Sequence, residues 1–160
     1  MSKPLRILFV CTGNSCRSQM AEGWARHLGG DRVESFSAGT HPAGYVNPMA
    51  IEAMGEAGID ISGQTSKALD AALLKRMDVV VTVCGQAEVN CPVVPTTAKR
   101  IHWPIPDPVG TAGDRETIRR QFLSVRDDIR RRMEELLRAC DGAAVTGVPR
   151  PKTAARARTR

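Results

Sequence analysis

Short apolar runs alternate with amphipathic segments along this 160-residue chain, and that alternation predicts an α/β domain: a four-stranded parallel sheet with helices on both faces. Three observations carry the prediction. Two runs, Leu5–Val10 and Asp78–Val83, are apolar almost throughout, as strands buried on both faces are. Each is followed or preceded by a stretch with helical spacing. No internal repeat or linker divides the chain.

The elements follow in order. Leu5–Val10 is the first strand. After a polar loop, Met20, Ala21, Trp24, Ala25 and Leu28 recur at helical spacing within Ser18–Leu28, and Gly29–Gly30 ends the helix. Val33–Ala38 alternates and reads as the second strand. Asn47 before Pro48 is a helix start, with Asn as the cap and Pro in the first turn, and the helix runs to Ala57 before Gly58. Ser66–Met77 reads as a third helix. Asp78–Val83 is the third strand and Arg100–Trp103 the fourth. Asp114–Cys140 is the longest helix, with Ile118, Phe122, Val125, Ile129, Met133, Leu136, Leu137 and Cys140 on one stripe. Residues 1–146 form the expected domain. Residues 147–160 hold five Arg or Lys and no acid, and are expected to be a disordered basic tail.

The formal charge of +6 therefore lies almost entirely in that tail. The rest is nearly neutral, so nucleic acid binding by the domain is not expected. No apolar run reaches the roughly 20 residues of a membrane helix, and Leu5–Val10 is too short for a signal peptide, so a cytoplasmic protein is expected. The five cysteines are odd in number and suggest reactive thiols rather than a disulfide framework. His27, His41 and His102 are scattered, without zinc spacing, and no metal site is expected.

In parallel sheets ligands bind at the carboxyl ends of the strands. Cys11 and Cys84 each follow a strand, so both are expected at one edge of the sheet. Cys11 opens the loop Thr12, Gly13, Asn14, Ser15, Cys16, Arg17, Ser18, a Cys-x5-Arg-Ser sequence running straight into a helix. Successive loop N–H groups and the helix start make a nest for a tetrahedral anion. The Arg17 fork suits two of its oxygens. The same positive surroundings favour the thiolate of Cys11, the nucleophilic form, and the Ser18 hydroxyl adds to that. Gly13 permits the turn and the Asn14 amide can brace the loop. Such a reaction needs an acid for the departing oxygen. Asp107, in a loop stiffened by Pro104, Pro106 and Pro108, is the candidate; a plain turn aspartate is the alternative.

Cys84 and Cys91 lie two helical turns apart, roughly 10 Å in a straight helix, beyond the reach of a disulfide. Gly85 and Asn90-Cys91-Pro92 allow the segment to unwind. Thiol exchange is one reading of the pair and two unrelated buried cysteines the other.

Cys11–Trp24 resembles the opening of thioredoxin-coupled arsenate reductases, built on the low-molecular-weight tyrosine phosphatase fold. The resemblance continues through residues 45–48, 58–62, 64–66, 79–85, 102–103 and 107–108. It implies that Cys11 attacks arsenate while Arg17 and the loop hold its oxygens, with Asp107 as acid. Cys84 then displaces arsenite, Cys91 takes over the disulfide, and thioredoxin or a related carrier reduces it. Phosphate and sulfate would compete as oxyanions. Cys16 is read as a bystander and Cys140 as structural. Some relatives hold potassium beside the loop with residues matching Asn14, Glu22 and Ser37, plus an aspartate; here Lys67 stands in the aspartate's position. The expectation is that the Lys67 ammonium replaces the cation, leaving no tightly bound cofactor. A monomer is expected. Two rival readings are a low-molecular-weight tyrosine phosphatase, disfavoured by Val109-Gly110 after Asp-Pro and an aromatic content of 4%, and a non-catalytic thiol redox sensor.

Overall fold

The computed structural model describes residues 3–84 and 97–146, with side chains as far as 141. Its main elements are β1 (Leu5–Cys11), α1 (Arg17–Gly29), β2 (Val33–Gly39), α2 (Pro48–Glu56), α3 (Ala71–Lys75), β3 (Val79–Val83), β4 (Lys99–Trp103) and α4 (Arg115–Thr146). The four strands are parallel in the order β2-β1-β3-β4. Because β1 is central, Ile7, Leu8, Phe9 and Val10 are wholly buried, which is why that run carries no polar alternation.

Alternate β1 residues face opposite layers. Ile7 and Phe9, with Val79 and Val81, pack against α1, α2 and α4. Leu8, Val10 and Val80 pack with Leu74 and Met77 on the other side. The α4 stripe buries Phe122, Val125, Ile129, Met133, Leu136 and Leu137, as its spacing predicts, with Ile118 and Cys140 half-covered at its ends. Each fully buried side chain of this kind stabilises by roughly 1.5–3 kcal/mol. Trp24 locks α1 onto this helix: its Nε1–H donates to the Arg126 carbonyl at 3.1 Å and its ring lies under the Arg130 guanidinium at 5.4 Å. Among the described residues no helix is long and apolar enough to cross a membrane.

Asn47 caps α2 as expected, its side chain accepting the Met49 N–H at 2.8 Å. Asp114 does the same for Thr117 at the start of α4, which runs on past Cys140 to Thr146.

One expected element is wrong. The helix read over Ser66–Met77 exists only as Ala71–Lys75. Asp70 is its cap, extended in backbone and accepting the Ala72 N–H at 2.9 Å. Ahead of it the chain lies alongside the end of β2. Ala68 bridges Gly39 in parallel, Gly39 N–H donates to the Lys67 carbonyl at 2.8 Å, and Leu69 N–H donates to the Gly39 carbonyl at 2.9 Å. Tertiary hydrogen bonds have overridden a helical pattern, and the segment so displaced supports the site.

Candidate active site

The carboxyl edge of the sheet gathers the ends of β1, β2, β3 and β4, and with them Cys11, Gly39, Cys84 and the loop leading to Asp107. The loop from Cys11 to Arg17 is held from outside by its carbonyls. That of Cys11 accepts from Thr40 N–H (3.3 Å), Thr12 from His41 (2.8 Å), Gly13 from Ala43 (2.8 Å), Ser15 from Asn47 (2.9 Å) and Cys16 from Met20 (2.9 Å). The Asn14 carbonyl accepts from the side-chain amide of Gln19 at 2.9 Å. The peptides are trans, and in a trans peptide the next residue's N–H points opposite to the carbonyl. The N–H groups of residues 12–17 are therefore turned inward. The Asn14 N–H shows the consequence, donating to Cys11 Sγ at 3.2 Å. The N-cap residue of α1, Cys16, makes no side-chain cap, and the positive end of the helix faces this space.

Asn14 adopts a left-handed backbone, φ 49°, which Asn tolerates better than most residues. Its buried amide has a fixed orientation. Oδ1 accepts the Lys67 N–H at 2.8 Å, and Nδ2 donates to Ser18 Oγ at 2.8 Å. The Ser18 hydroxyl, already an acceptor, can turn its proton toward Cys11 Sγ at 2.9 Å. The sulfur thus sits before two hydrogen-bond donors. Thr12 Oγ1 is buried without a hydrogen-bond partner among the described residues, a valence left over at the same loop.

Arg17 is 3% exposed. Its Nη1 donates to the Ile105 carbonyl at 3.0 Å, and its Nη2 lies 3.6 Å from Asp107 Oδ2. Asp107 Oδ1 accepts the Val109 N–H at 3.0 Å, capping a short turn over Pro108–Gly110. One carboxylate oxygen therefore fixes the loop and the other faces the arginine.

The two loop thiols differ. Cys16 is buried, and burial pushes its thiol up to about 12, against the weaker pull of the Ser15 hydroxyl. It stays protonated at neutral pH and is a poor nucleophile. Cys140 is likewise raised by burial. Cys11, Cys16 and Cys140 are free thiols, whereas Cys84, buried at the end of β3, is disulfide-bonded. The expected partner in exchange, Cys91, lies outside the described residues.

The four residues expected beside the loop do meet. Ser37 Oγ donates to Glu22 Oε1 at 2.5 Å, Lys67 Nζ lies 3.9 Å from the same oxygen, and Lys67 also donates to the Thr65 carbonyl. Its backbone N–H holds Asn14. Burial lowers the Lys67 pKa and Glu22 opposes that.

Sequence reasoning missed the supports. Ser66 Oγ donates to the Gly13 carbonyl at 3.2 Å and accepts the Gly44 N–H at 3.1 Å. Gly39 abuts the loop so closely that a Cβ would lie 2.6 Å from the Thr12 carbonyl oxygen. Gln19 and Gln64 pair behind the loop. The only sequence signals were a glycine opposite Cys11 in strand register and a Gln-Thr-Ser run with no assigned role.

Known proteins share the sequence and fold of this chain. Residues 6–145 match the family described as low molecular weight phosphotyrosine protein phosphatase. A protein named arsenate reductase from Bacillus subtilis is 50% identical over 129 residues, 81% of this chain and 92% of the relative. A solved structure described as an arsenate reductase in the phosphate binding state superposes with a TM-score of 0.69 at 39% identity, covering 82% of this chain and 95% of the other. A low molecular weight protein tyrosine phosphatase from T. tengcongensis gives a TM-score of 0.67 at 28% identity, covering 83% of this chain and 97% of that one.

Proposed function

The chain belongs to the low molecular weight phosphotyrosine protein phosphatase family, and we propose that it is an arsenate reductase of that family, using three cysteines in turn. The observation that carries this reading is a second cysteine, Cys84, following β3 at the same sheet edge where the cradled Cys11 ends the adjacent strand β1. A phosphatase uses the first thiol and has no need of the second.

Arsenate is held by the inward N–H groups and Arg17. The Cys11 thiolate attacks arsenic, and one oxygen leaves as water with a proton from Asp107. The product is a Cys11 S–As(V) adduct. The Cys84 thiolate then attacks Cys11 Sγ. The S–As bond breaks with its electron pair going to arsenic, which departs as arsenite, As(III), leaving a Cys11–Cys84 disulfide. The Cys91 thiolate attacks Cys84, freeing Cys11. A dithiol carrier of the thioredoxin kind supplies the two electrons that reduce the final disulfide. Support for that carrier comes from a Corynebacterium glutamicum neighbour described as thioredoxin-dependent, at 27% identity and TM-score 0.68. Asn14, Glu22, Ser37 and Lys67 stabilise the loop from below, the lysine charge taking the place of a bound potassium ion. The Lys67–Glu22 approach supports that assignment.

The test is arsenate-dependent NADPH oxidation with thioredoxin and thioredoxin reductase, comparing wild type with Cys84→Ser and Cys91→Ser. Turnover in wild type that disappears in both variants is expected. Hydrolysis of an aryl phosphate that survives both substitutions, with no arsenate turnover in wild type, would move the protein to the phosphatase class.

A further inference from the structure

Five of the six loop carbonyls from Cys11 to Cys16 are held by backbone N–H groups; that of Asn14 depends on one side chain, Gln19. Gln19 is wholly buried in α1. Its Nε2 donates to the Asn14 carbonyl at 2.9 Å and to the Thr65 carbonyl at 2.8 Å. Its Oε1 accepts from Gln64 Nε2 at 2.8 Å, and Gln64 Oε1 accepts from the Arg26 guanidinium at 2.7 Å. The chain runs one way only. Two carbonyls demand a nitrogen at one end, and an arginine demands an oxygen at the other, so neither amide can flip without losing bonds.

We propose that Gln19, locked by Gln64 and Arg26, is a positioning residue that sets the oxyanion pocket by pinning the Asn14–Ser15 peptide, so that the Ser15 N–H faces the bound anion. Rotation of this peptide would turn a carbonyl dipole toward the anion and remove a donor. Burial makes the clamp matter, since a loose carbonyl there has no water to bond. The inference rests on the oxyanion-loop reading above, but it concerns anion binding and not arsenic redox chemistry.

The experiment measures binding of inorganic phosphate by calorimetry as a function of pH, always as a ratio to wild type. Gln19→Met keeps the volume and removes both donors; Gln19→Glu keeps the shape and donates only when protonated. A charge-assisted hydrogen bond contributes enough that Gln19→Met is expected to weaken phosphate binding about 10- to 100-fold at every pH. Gln19→Glu is expected to match that loss at high pH and recover part of it at low pH, where the buried carboxyl carries a proton. In the coupled assay arsenate KM rises while kcat holds, because the N–H grips ground and transition states alike. Gln64→Ala, on the accessible side of the clamp, is expected to give a smaller loss and serves if the Gln19 variants do not fold. Phosphate affinity unchanged in Gln64→Ala, or equal losses in Gln19→Met and Gln19→Glu at low pH, would overturn the proposal. Failure of the wild type to bind phosphate would overturn it together with the oxyanion reading.

Discussion

Gly39→Ala puts a single methyl group where the loop meets β2. The added Cβ would lie 2.6 Å from the Thr12 carbonyl oxygen and 3.0 Å from both Asn14 N and Asn14 Cβ. A carbon and a carbonyl oxygen in contact sit about 3.3 Å apart, so something must move by about 0.7 Å. All the atoms struck are loop atoms, two of them backbone, and no flexible chain end is available to yield. Gly39 itself is tied on both sides, to Cys11 in the β1–β2 register and to Lys67 and Leu69. The loop must therefore shift. Overpacking of this kind costs about 1–3 kcal/mol. In a chain of this size that lowers the melting temperature by about 3–9 °C. Displacement of the N–H cradle by most of an ångström costs about 10- to 100-fold in turnover. Thermal melting and the thioredoxin-coupled arsenate assay read the two effects. Gly55→Ala is the matched control: nothing lies within 4 Å of its added Cβ, and in α2 alanine is expected to stabilise by up to about 1 kcal/mol. A Gly39→Ala protein that keeps wild-type melting and turnover would refute the argument that the loop is wedged against β2.

Four further outcomes are expected. Iodoacetamide at mildly alkaline pH should label Cys11 of the reduced protein and spare Cys16, whose thiol is held at about 12 by burial; mass spectrometric mapping that finds Cys16 modified first would contradict this. Potassium and sodium at equal concentration should act alike on melting and activity, since the Lys67 ammonium already faces Glu22; a selective gain with potassium would show a cation site in use. Asp107→Asn should lower kcat by about 10²-fold or more, the range of general acid catalysis, with phosphate affinity little changed; a rise in KM alone would reassign Asp107 to holding Arg17. The hydrogen bonds from Thr117 hold the Asp114 carboxyl below its ordinary 3.8, so its cap contributes fully above that pH and fades as pH falls through the lowered value. Asp114→Asn should therefore flatten the acid limb of melting temperature against pH, and an unchanged limb would exclude this cap as a contributor.

The structure reproduces some sequence expectations closely because they rest on local chemistry. A strand buried on both faces must be apolar throughout, so β1 and β3 stand out from composition alone. The Cys-x5-Arg-Ser loop is local too: its N–H groups, its arginine and the helix it opens are contiguous, and so is the Asn47 cap. Lys67 and Glu22 are different, being 45 positions apart; resemblance placed them together before the structure did.

The β1 and β3 runs, the Cys-x5-Arg-Ser loop and the shared sheet edge of Cys11 and Cys84 are all legible along the chain. The path of residues 66–70 depends instead on distant parts of the fold. Ser66–Met77 reads as a helix along the chain, but the Lys67 N–H and carbonyl, the Ser66 hydroxyl and the neighbouring Thr65 carbonyl are committed to Asn14, Gly39, Gly13 and Gln19. A helix would withdraw those groups into its own ladder and leave buried loop atoms without partners. The tertiary structure also decided which N–H groups face inward, because a peptide's orientation follows from what its carbonyl can reach across the fold. Such partners lie far away in sequence, and no periodicity along the chain records them.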